Sequence, residues 1–205
     1  MKATCSDFEA KRSSGFTALP PVGAYVAEIQ AVRVLDPQKD KSVQRITIEL
    51  FMEIIEGEYA NRFHEVYEDQ KERFGDTAKY KGIFRLIPYT DDDEDWRKRN
   101  FQSNVWCVQE SNPGYKWDWD EKKLKGKKVG ISLRKRLYTY TNAAGEEKNG
   151  ETIEIARFET VDDVRNGKCK PMRDRDQRKN KEEQAEESTD GSSFTEVTNE
   201  VNVPW

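Results

Sequence analysis

The chain has 205 residues, of which 36% are charged, 35% hydrophobic and 11% aromatic, and its formal net charge is −4. This composition supports one modest core and is too aromatic for a fully disordered protein. The sequence contains no run of about 18 apolar residues that would predict a membrane span. The three cysteines are far apart and form no CxxC pair, so we expect reduced thiols and no metal or other cofactor. No signal peptide is predicted, so we expect a cytoplasmic protein.

Charge is distributed unevenly along the chain. Residues 182–205 contain seven acids and no base, which leaves 35 bases and 32 acids in residues 1–181. A slightly basic body with an acidic tail differs from a uniformly acidic globule. We therefore predict an N-terminal arm over 1–22, one folded domain over 23–170 and a disordered acidic tail over 171–205.

The first half of the domain has the signals of β-strands. Pro20, Pro21 and Gly23 precede a β-branched, aromatic run over 24–34 that predicts the first strand. Residues 44–54 alternate with period two, which predicts a second strand with one packed face and one wet face. Residues 62–67, "RFHEVY", predict a third strand.

The second half changes character and then returns to alternation. Short helices are expected over roughly 76–87 and 93–108, followed by a hairpin of strands at 127–140 and 152–159 and a short helix or turn at 161–168. The fold class is therefore mainly β. Five strands with a helical insertion between the third and fourth have the element order of an OB-type Greek-key barrel, a fold that binds oligonucleotides.

The densest basic segment, residues 122–140, contains eight cations and no acid. Alternation directs Val129, Ile131 and Leu133 inward and the intervening side chains outward. Outward cations beside aromatic rings suit phosphates and stacked bases of a single strand, although a simple solvated hairpin face remains an alternative. The candidate DNA-binding residues here are Lys127, Lys128, Arg134, Arg136, Tyr138 and Tyr140.

Weaker DNA-binding candidates come from earlier strands. Arg45 and Phe51 belong to the predicted wet face of the second strand, and Tyr67 ends the predicted third strand. An outward phenylalanine is unusual unless something covers it, and the 76–108 segment is the alternative cover. The tryptophans of the insertion are expected mainly to pack, and Trp117 and Trp119 in a turn-rich connection are the better candidates for an exposed pair.

The acidic run 91–95, "DDDED", raises the alternative of a small metal-dependent nuclease. Five consecutive acids point around a turn and do not converge as metal ligands from separate elements do. His64 is the only histidine, and no phosphate-binding GxxxxGK[ST] loop occurs. We therefore do not expect an enzyme.

Three segments resemble a known family. "GAYVAEIQAV", "RITIELFMEIIEGEYANRF" and "KGKKVGISL", with the mid-chain insertion and the acidic tail, resemble the single-stranded DNA-binding proteins of tailed phages and prophages of Gram-positive bacteria. The resemblance covers residues 15–160 loosely. It implies an OB-fold protein without enzymatic activity that coats single-stranded DNA during replication and recombination, in the host cytoplasm if a phage encodes it.

The last residues are similar to the ends of bacterial single-strand binding proteins, which close on Asp-Ile-Pro-Phe or a variant. Val203, Pro204 and Trp205 keep the aliphatic–proline–aromatic order, whereas Asn202 replaces the acid. The resemblance implies that these three residues bind phage or host replication and recombination proteins. An incidental tail is the alternative.

The sequence thus predicts a sequence-independent single-stranded DNA-binding protein with a partner-recruiting tail. One alternative is a protein-interaction adaptor of the phage recombination machinery with little DNA binding, and the nuclease is another. RNA binding stays open because rings and cations do not distinguish the sugars. Assembly into homo-oligomers stays open as well.

Overall fold

The computed structural model describes residues 17–178, which form one antiparallel sheet with helices packed on it. The predictions for residues 1–16 of the arm, for residues 179–205 of the tail and for Val203, Pro204 and Trp205 lie outside this range. The strands are β1 (Ala24–Leu35), β2 (Thr47–Ile54), β3 (Ile83–Leu86), β4 (Lys128–Thr141), β5 (Glu147–Glu159) and β6 (Arg175–Asp176). The α-helices are α1 (Arg62–Phe74), α2 (Asp95–Ser111) and α3 (Val161–Arg165).

The sheet order is β3-β2-β1-β4-β5, and β6 pairs with β4 in parallel. β1 is shared, since its residues 24–28 pair with β4 and its residues 27–35 pair with β2. The rings of Phe84 on β3 and Phe158 on β5 lie 4.3 Å apart between centroids, so the two end strands of this order meet through them. The mainly β prediction is confirmed.

The core lies between the sheet and α2. Val129, Ile131 and Leu133 are buried on the inner face of β4, as the alternation predicts. From α2, the Asn104 side-chain oxygen accepts a hydrogen bond from the Phe158 backbone N–H at 3.1 Å. The predicted helix at 93–108, the β4–β5 hairpin and the short helix after it are confirmed, with bounds shifted by a few residues. No helix within residues 17–178 is both long and apolar enough to cross a membrane.

The predicted third strand at 62–67 is wrong, because these residues begin α1. Phe63 and Val66, three positions apart, are buried on one side of the helix. The buried carboxylate of Glu53 accepts hydrogen bonds from the backbone N–H groups of Phe63 at 3.1 Å and His64 at 2.7 Å. A negative charge from β2 thus satisfies the first turn, which local sequence does not reveal.

The predicted helix over 76–87 is also wrong. Only a 3-10 turn at Gly75–Thr77 is helical, and β3 follows it. The carbonyl of Gly82 accepts a 2.7 Å hydrogen bond from Met52 N–H, and a Cβ at position 82 would lie 2.3 Å from the Met52 oxygen. Close backbone approach to β2 therefore makes this segment a strand, and α2 still separates β3 from β4.

The predicted wet face of β2 does not exist, because all eight residues of the strand are buried. Phe51 is only 1% exposed, and its ring lies 6.2 Å from that of Tyr80. Period-two alternation indicates which side chains share a face, but it does not indicate whether helices or loops cover that face.

Candidate nucleic-acid interface

Four of the predicted DNA-binding residues follow one another on a single face of β4: Arg134, Arg136, Tyr138 and Tyr140. We call them the β4 row. The Arg136 guanidinium lies 5.6 Å above the Tyr138 ring centroid, and the Tyr138 and Tyr140 rings are 6.1 Å apart. Cation–π and ring contacts therefore connect Arg136, Tyr138 and Tyr140. The structure brings these four residues together, as the alternation predicts.

A glycine on the neighbouring strand makes room for the row. Gly150 on β5 lies directly opposite Tyr138, and a Cβ added there would be 2.7 Å from the tyrosine ring. The ring therefore lies across bare backbone. Such cross-strand placement restricts a large side chain without burying it completely.

Glu154 on β5 partly neutralises the row. Its carboxylate lies 2.8 Å from Arg134, 3.7 Å from Arg136 and 3.7 Å from Arg175. Three guanidinium groups thus face one carboxylate, which leaves an excess of positive charge. The Arg136 Nε atom is buried and faces Glu154 at 3.7 Å without a hydrogen bond, whereas the Arg136 side chain as a whole is 39% exposed.

Two lysines before β3 that sequence reasoning missed add positive charge, and one of them, Lys81, interacts electrostatically with the row. Burial lowers the pKa of Lys81, and the neighbouring charges of Arg136 and Lys79 lower it further. Lys81 therefore lies within electrostatic range of Arg136 on β4. The local charge count missed both lysines because they are far from residues 122–140 in sequence.

The C-terminal end of the described chain also reaches the row. Beyond Ser132, β4 has no pairing with β1, and β6 occupies that edge with Arg175 opposite Arg136. The backbone N–H of Gln177 donates to the Leu137 carbonyl at 2.9 Å. The described residues therefore end next to the row, and Arg175 adds a cation to it.

Lys127 and Lys128 are not part of the row. Lys128 starts β4, about 20 Å along the strand from Arg134. Its backbone N–H donates to the Asn112 side chain at 3.0 Å, and the Lys127 ammonium lies 4.8 Å over the Tyr115 ring. These two lysines mark the opposite end of the strand.

The weaker candidates have other neighbours. Phe51 is buried, as described above, and is not accessible to a base. Tyr67 is half-buried and packs edge-on against Tyr80 at 5.9 Å. Arg45 pairs through both terminal nitrogens with Asp93, and these hydrogen bonds hold the pKa of Asp93 well below its usual range.

Arg45 also lines a small groove of about 80 Å³, which we call the arginine groove. Arg85, Arg97 and Trp96 contribute to the same wall. The Arg97 guanidinium lies 4.7 Å over the Trp96 ring, and Trp96 is 52% exposed. The sequence signal for this groove is the run "DWRKRN", in which three cations follow Trp96 directly.

A buried carboxylate orients two further arginines across β1, β2 and β3. Glu49 is 1% exposed and accepts hydrogen bonds from Arg33 Nε and Arg85 Nε, each at 3.0 Å. The residues are cross-strand partners in the sheet register. Only this register brings them together, which is why sequence reasoning missed them.

The acidic run 91–95 is engaged in local contacts. Asp93 pairs with Arg45 and Thr90, and Glu94 accepts a hydrogen bond from the Trp96 indole. Within residues 17–178, no three His, Cys, Asp or Glu side chains are grouped so that they could hold a metal ion.

Comparison with known proteins adds no functional assignment. Neither a scan against protein-family models nor a search of curated proteins finds a match to the chain. The function of the protein is therefore inferred from the geometry of the residues described above.

Proposed function

We propose that this protein binds single-stranded DNA without reading its sequence, through an OB-type domain. The strand order β3-β2-β1-β4-β5, the shared strand β1 and the position of α2 between β3 and β4 support an OB-type arrangement. Contact between Phe84 and Phe158 is consistent with closure of such a barrel between β3 and β5.

The β4 row is the observation that carries the proposal. Its guanidinium groups suit phosphates, and its rings suit the flat faces that every base has, so binding does not depend on base identity. Each stacked base contributes about 1–3 kcal/mol, and each phosphate contact adds a salt-dependent contribution. Arg175 extends the positive charge of the row, and Lys81 interacts electrostatically with Arg136.

The acidic residues 182–200 and the segment Val203–Trp205 are proposed to act together as a disordered tail. The tail charge competes with DNA for the cations, and Val203, Pro204 and Trp205 bind proteins of phage DNA replication and recombination. The position of β6 supports the first role, because the described chain ends beside the β4 row.

A second candidate is the interaction adaptor with little DNA binding. The pairing of Glu154 with Arg134 and Arg136 favours it, because ion pairs reduce the positive charge that is offered to phosphates. The two candidates differ in whether the domain itself binds DNA.

Titration of a fluorescently labelled oligo-dT with the full chain tests the proposal. We expect binding at low salt that weakens as salt rises, since phosphate contacts release counterions. Replacing Arg136 with Ala should reduce the slope of log affinity against log salt by about 0.7. The matched control is Arg165→Ala, which removes an exposed arginine paired with Glu56. Absence of binding at low salt would favour the adaptor, and a parallel oligo-U titration compares RNA with DNA.

A further inference from the structure

A second groove on the domain is aromatic and lies between α2 and the connection that follows it. We call it the aromatic groove; it has a volume of about 270 Å³, and its walls include Tyr89, Phe101, Trp106, Trp117 and Trp119. Trp119 is 57% exposed and Trp106 is 51% exposed. Exposed rings gathered in one concave site indicate a binding surface rather than scattered surface residues.

The rings are held in place. Trp119 stacks on Phe101 with an interplanar angle of 10° and a centroid distance of 5.6 Å. Its backbone has φ 68, a left-handed conformation that costs a non-glycine residue about 1–2 kcal/mol. The Trp117 backbone N–H donates to the Gln109 side chain at 2.8 Å, which ties the connection to α2. The groove is therefore formed before any ligand arrives.

A side chain of the groove wall carries one buried donor without an acceptor among the described residues. The indole Nε1 of Trp117 is buried and makes no hydrogen bond with any residue from 17 to 178. An unsatisfied buried N–H costs about 1–3 kcal/mol, and this one belongs to a side chain that lines the groove.

The lining side chains carry no charge, unlike those of the arginine groove. The closest acids in sequence, Asp118 and Asp120, both face Lys123. Without cations in its wall, the aromatic groove has nothing to bind a phosphate backbone. Its chemistry suits an uncharged peptide with proline and aromatic side chains, which dock on aromatic walls.

We propose that the aromatic groove binds Val203–Trp205 of the same chain. These three side chains are uncharged and apolar, and they follow the acidic residues of the tail. Residues 179–205 span up to about 90 Å when extended, whereas a domain of this size is about 40 Å across. Every point on the surface is thus within reach. Because a tether of this kind gives an effective concentration near millimolar, a weak contact is sufficient.

Docking in this groove regulates the proposed protein-binding role of Val203–Trp205, and the inference rests on that part of the proposed function. A partner must displace these residues from the groove before binding them. No residue of the β4 row lines the aromatic groove, so docking itself does not occupy the phosphate-binding side chains.

Fluorine NMR of the full chain labelled with 5-fluorotryptophan tests the inference. The five tryptophans give five resonances, and the one absent from Trp205→Phe belongs to Trp205. We expect this resonance to lie away from that of a free peptide with the sequence of residues 196–205, at all protein concentrations. In Trp119→Ala it should move to the free-peptide position. The matched control Trp96→Ala, which removes an equally exposed indole from the arginine groove, should leave it unchanged.

Pro204→Ala provides a second reading that leaves the domain intact and should also move the Trp205 resonance toward the free position. If Trp119→Ala disturbs the remaining tryptophan resonances, the result for Pro204→Ala decides whether the groove binds Val203–Trp205. A Trp205 resonance that coincides with the free peptide in the unmodified chain would overturn the inference. A shift that depends on protein concentration would identify a second copy as the occupant and would equally overturn it. No DNA is present, so the outcome is independent of DNA binding by the β4 row.

Discussion

At the scale of single residues, Glu154 controls how much positive charge the β4 row offers. Its carboxylate is shared by Arg134, Arg136 and Arg175, and it holds these side chains in a defined direction. A phosphate that binds the row has to compete with this carboxylate. Glu154 therefore both orders the arginines and weakens their attraction for a polyanion.

Glu154→Gln should tighten DNA binding several-fold at low salt. The amide keeps the shape of the side chain and removes one negative charge from beside three guanidinium groups. Affinity for oligo-dT is the measurement, and a tenfold change corresponds to about 1.4 kcal/mol. Glu151→Gln is the control, because Glu151 pairs with Lys135 on the opposite face of the hairpin. Unchanged or weaker binding in Glu154→Gln would argue against the row as the DNA site.

Tyr138→Ala should weaken binding of oligo-dT roughly 5- to 150-fold, the loss expected for one stacked base. Tyr138→Phe should retain nearly all of the affinity, because the ring rather than the hydroxyl makes the stack. Anisotropy titrations of both variants check this pair. Equal losses in the two variants would mean that the hydroxyl, not the ring face, makes the contact.

Glu53 makes stability depend on pH. Burial raises the pKa of this carboxyl, and hydrogen bonds from Tyr80, Phe63, His64 and Ile54 oppose the rise. Because the folded-state pKa lies above the ordinary 4.5, the stabilising contribution is complete below 4.5 and is lost as the pH rises through the raised value. Urea unfolding should therefore show the unmodified chain losing stability relative to Glu53→Gln as the pH rises.

Glu56 is the control for this experiment, because its contribution to stability changes with pH in the opposite direction. Its hydrogen bond with Arg165 lowers the pKa of Glu56, so its contribution is present at higher pH and is lost on acidification. Relative to Glu56→Gln, the unmodified chain should gain stability as the pH rises. The same direction of change for both variants would contradict the assignment of Glu53.

At the scale of elements, β3 exists because Gly82 allows two backbones to touch. Gly82→Ala should destabilise the domain by about 3 kcal/mol, since the new Cβ would lie 2.3 Å from the Met52 carbonyl oxygen, which cannot move without breaking the pairing with β2. Gly57→Ala is the control: it adds a Cβ in open space at φ +82 and should cost only about 1 kcal/mol. Denaturant midpoints measure both, and equal costs would refute the close-approach argument.

The elements differ in how far sequence reasoning could define them. The sequence predicts β1, β4 and β5 because their alternation and turns are local, whereas it wrongly predicts a strand where α1 begins. The carboxylate that satisfies the first turn of α1 comes from Glu53 on β2. A helix whose N-terminus is completed by another element carries no complete signal in its own residues.

At the scale of the whole molecule, the described chain ends beside the β4 row through β6. Replacing Glu182, Glu183, Glu186 and Glu187 with Gln should therefore tighten DNA binding and change its salt dependence, because fewer tail charges compete with phosphates. The full-length variant is preferable to truncation after Arg173, which would also remove β6. Replacing four neutral residues (Gln184, Ala185, Ser188 and Thr189) with Gly is the matched control. Identical salt series for the charge variant and the unmodified chain would exclude competition by the tail.

The sequence by itself determined the mainly β class, the inward and outward faces of β4 and the grouping of Arg134, Arg136, Tyr138 and Tyr140. These features follow from a two-residue period and from charges that are neighbours in the chain, so local information is sufficient. Only the tertiary structure decided that β2 is buried on both faces, that Glu154 neutralises part of the row and that Lys81 lies beside Arg136. Burial and ion pairing depend on strand register and on which element covers a face, and both are set by contacts between residues that are distant in sequence.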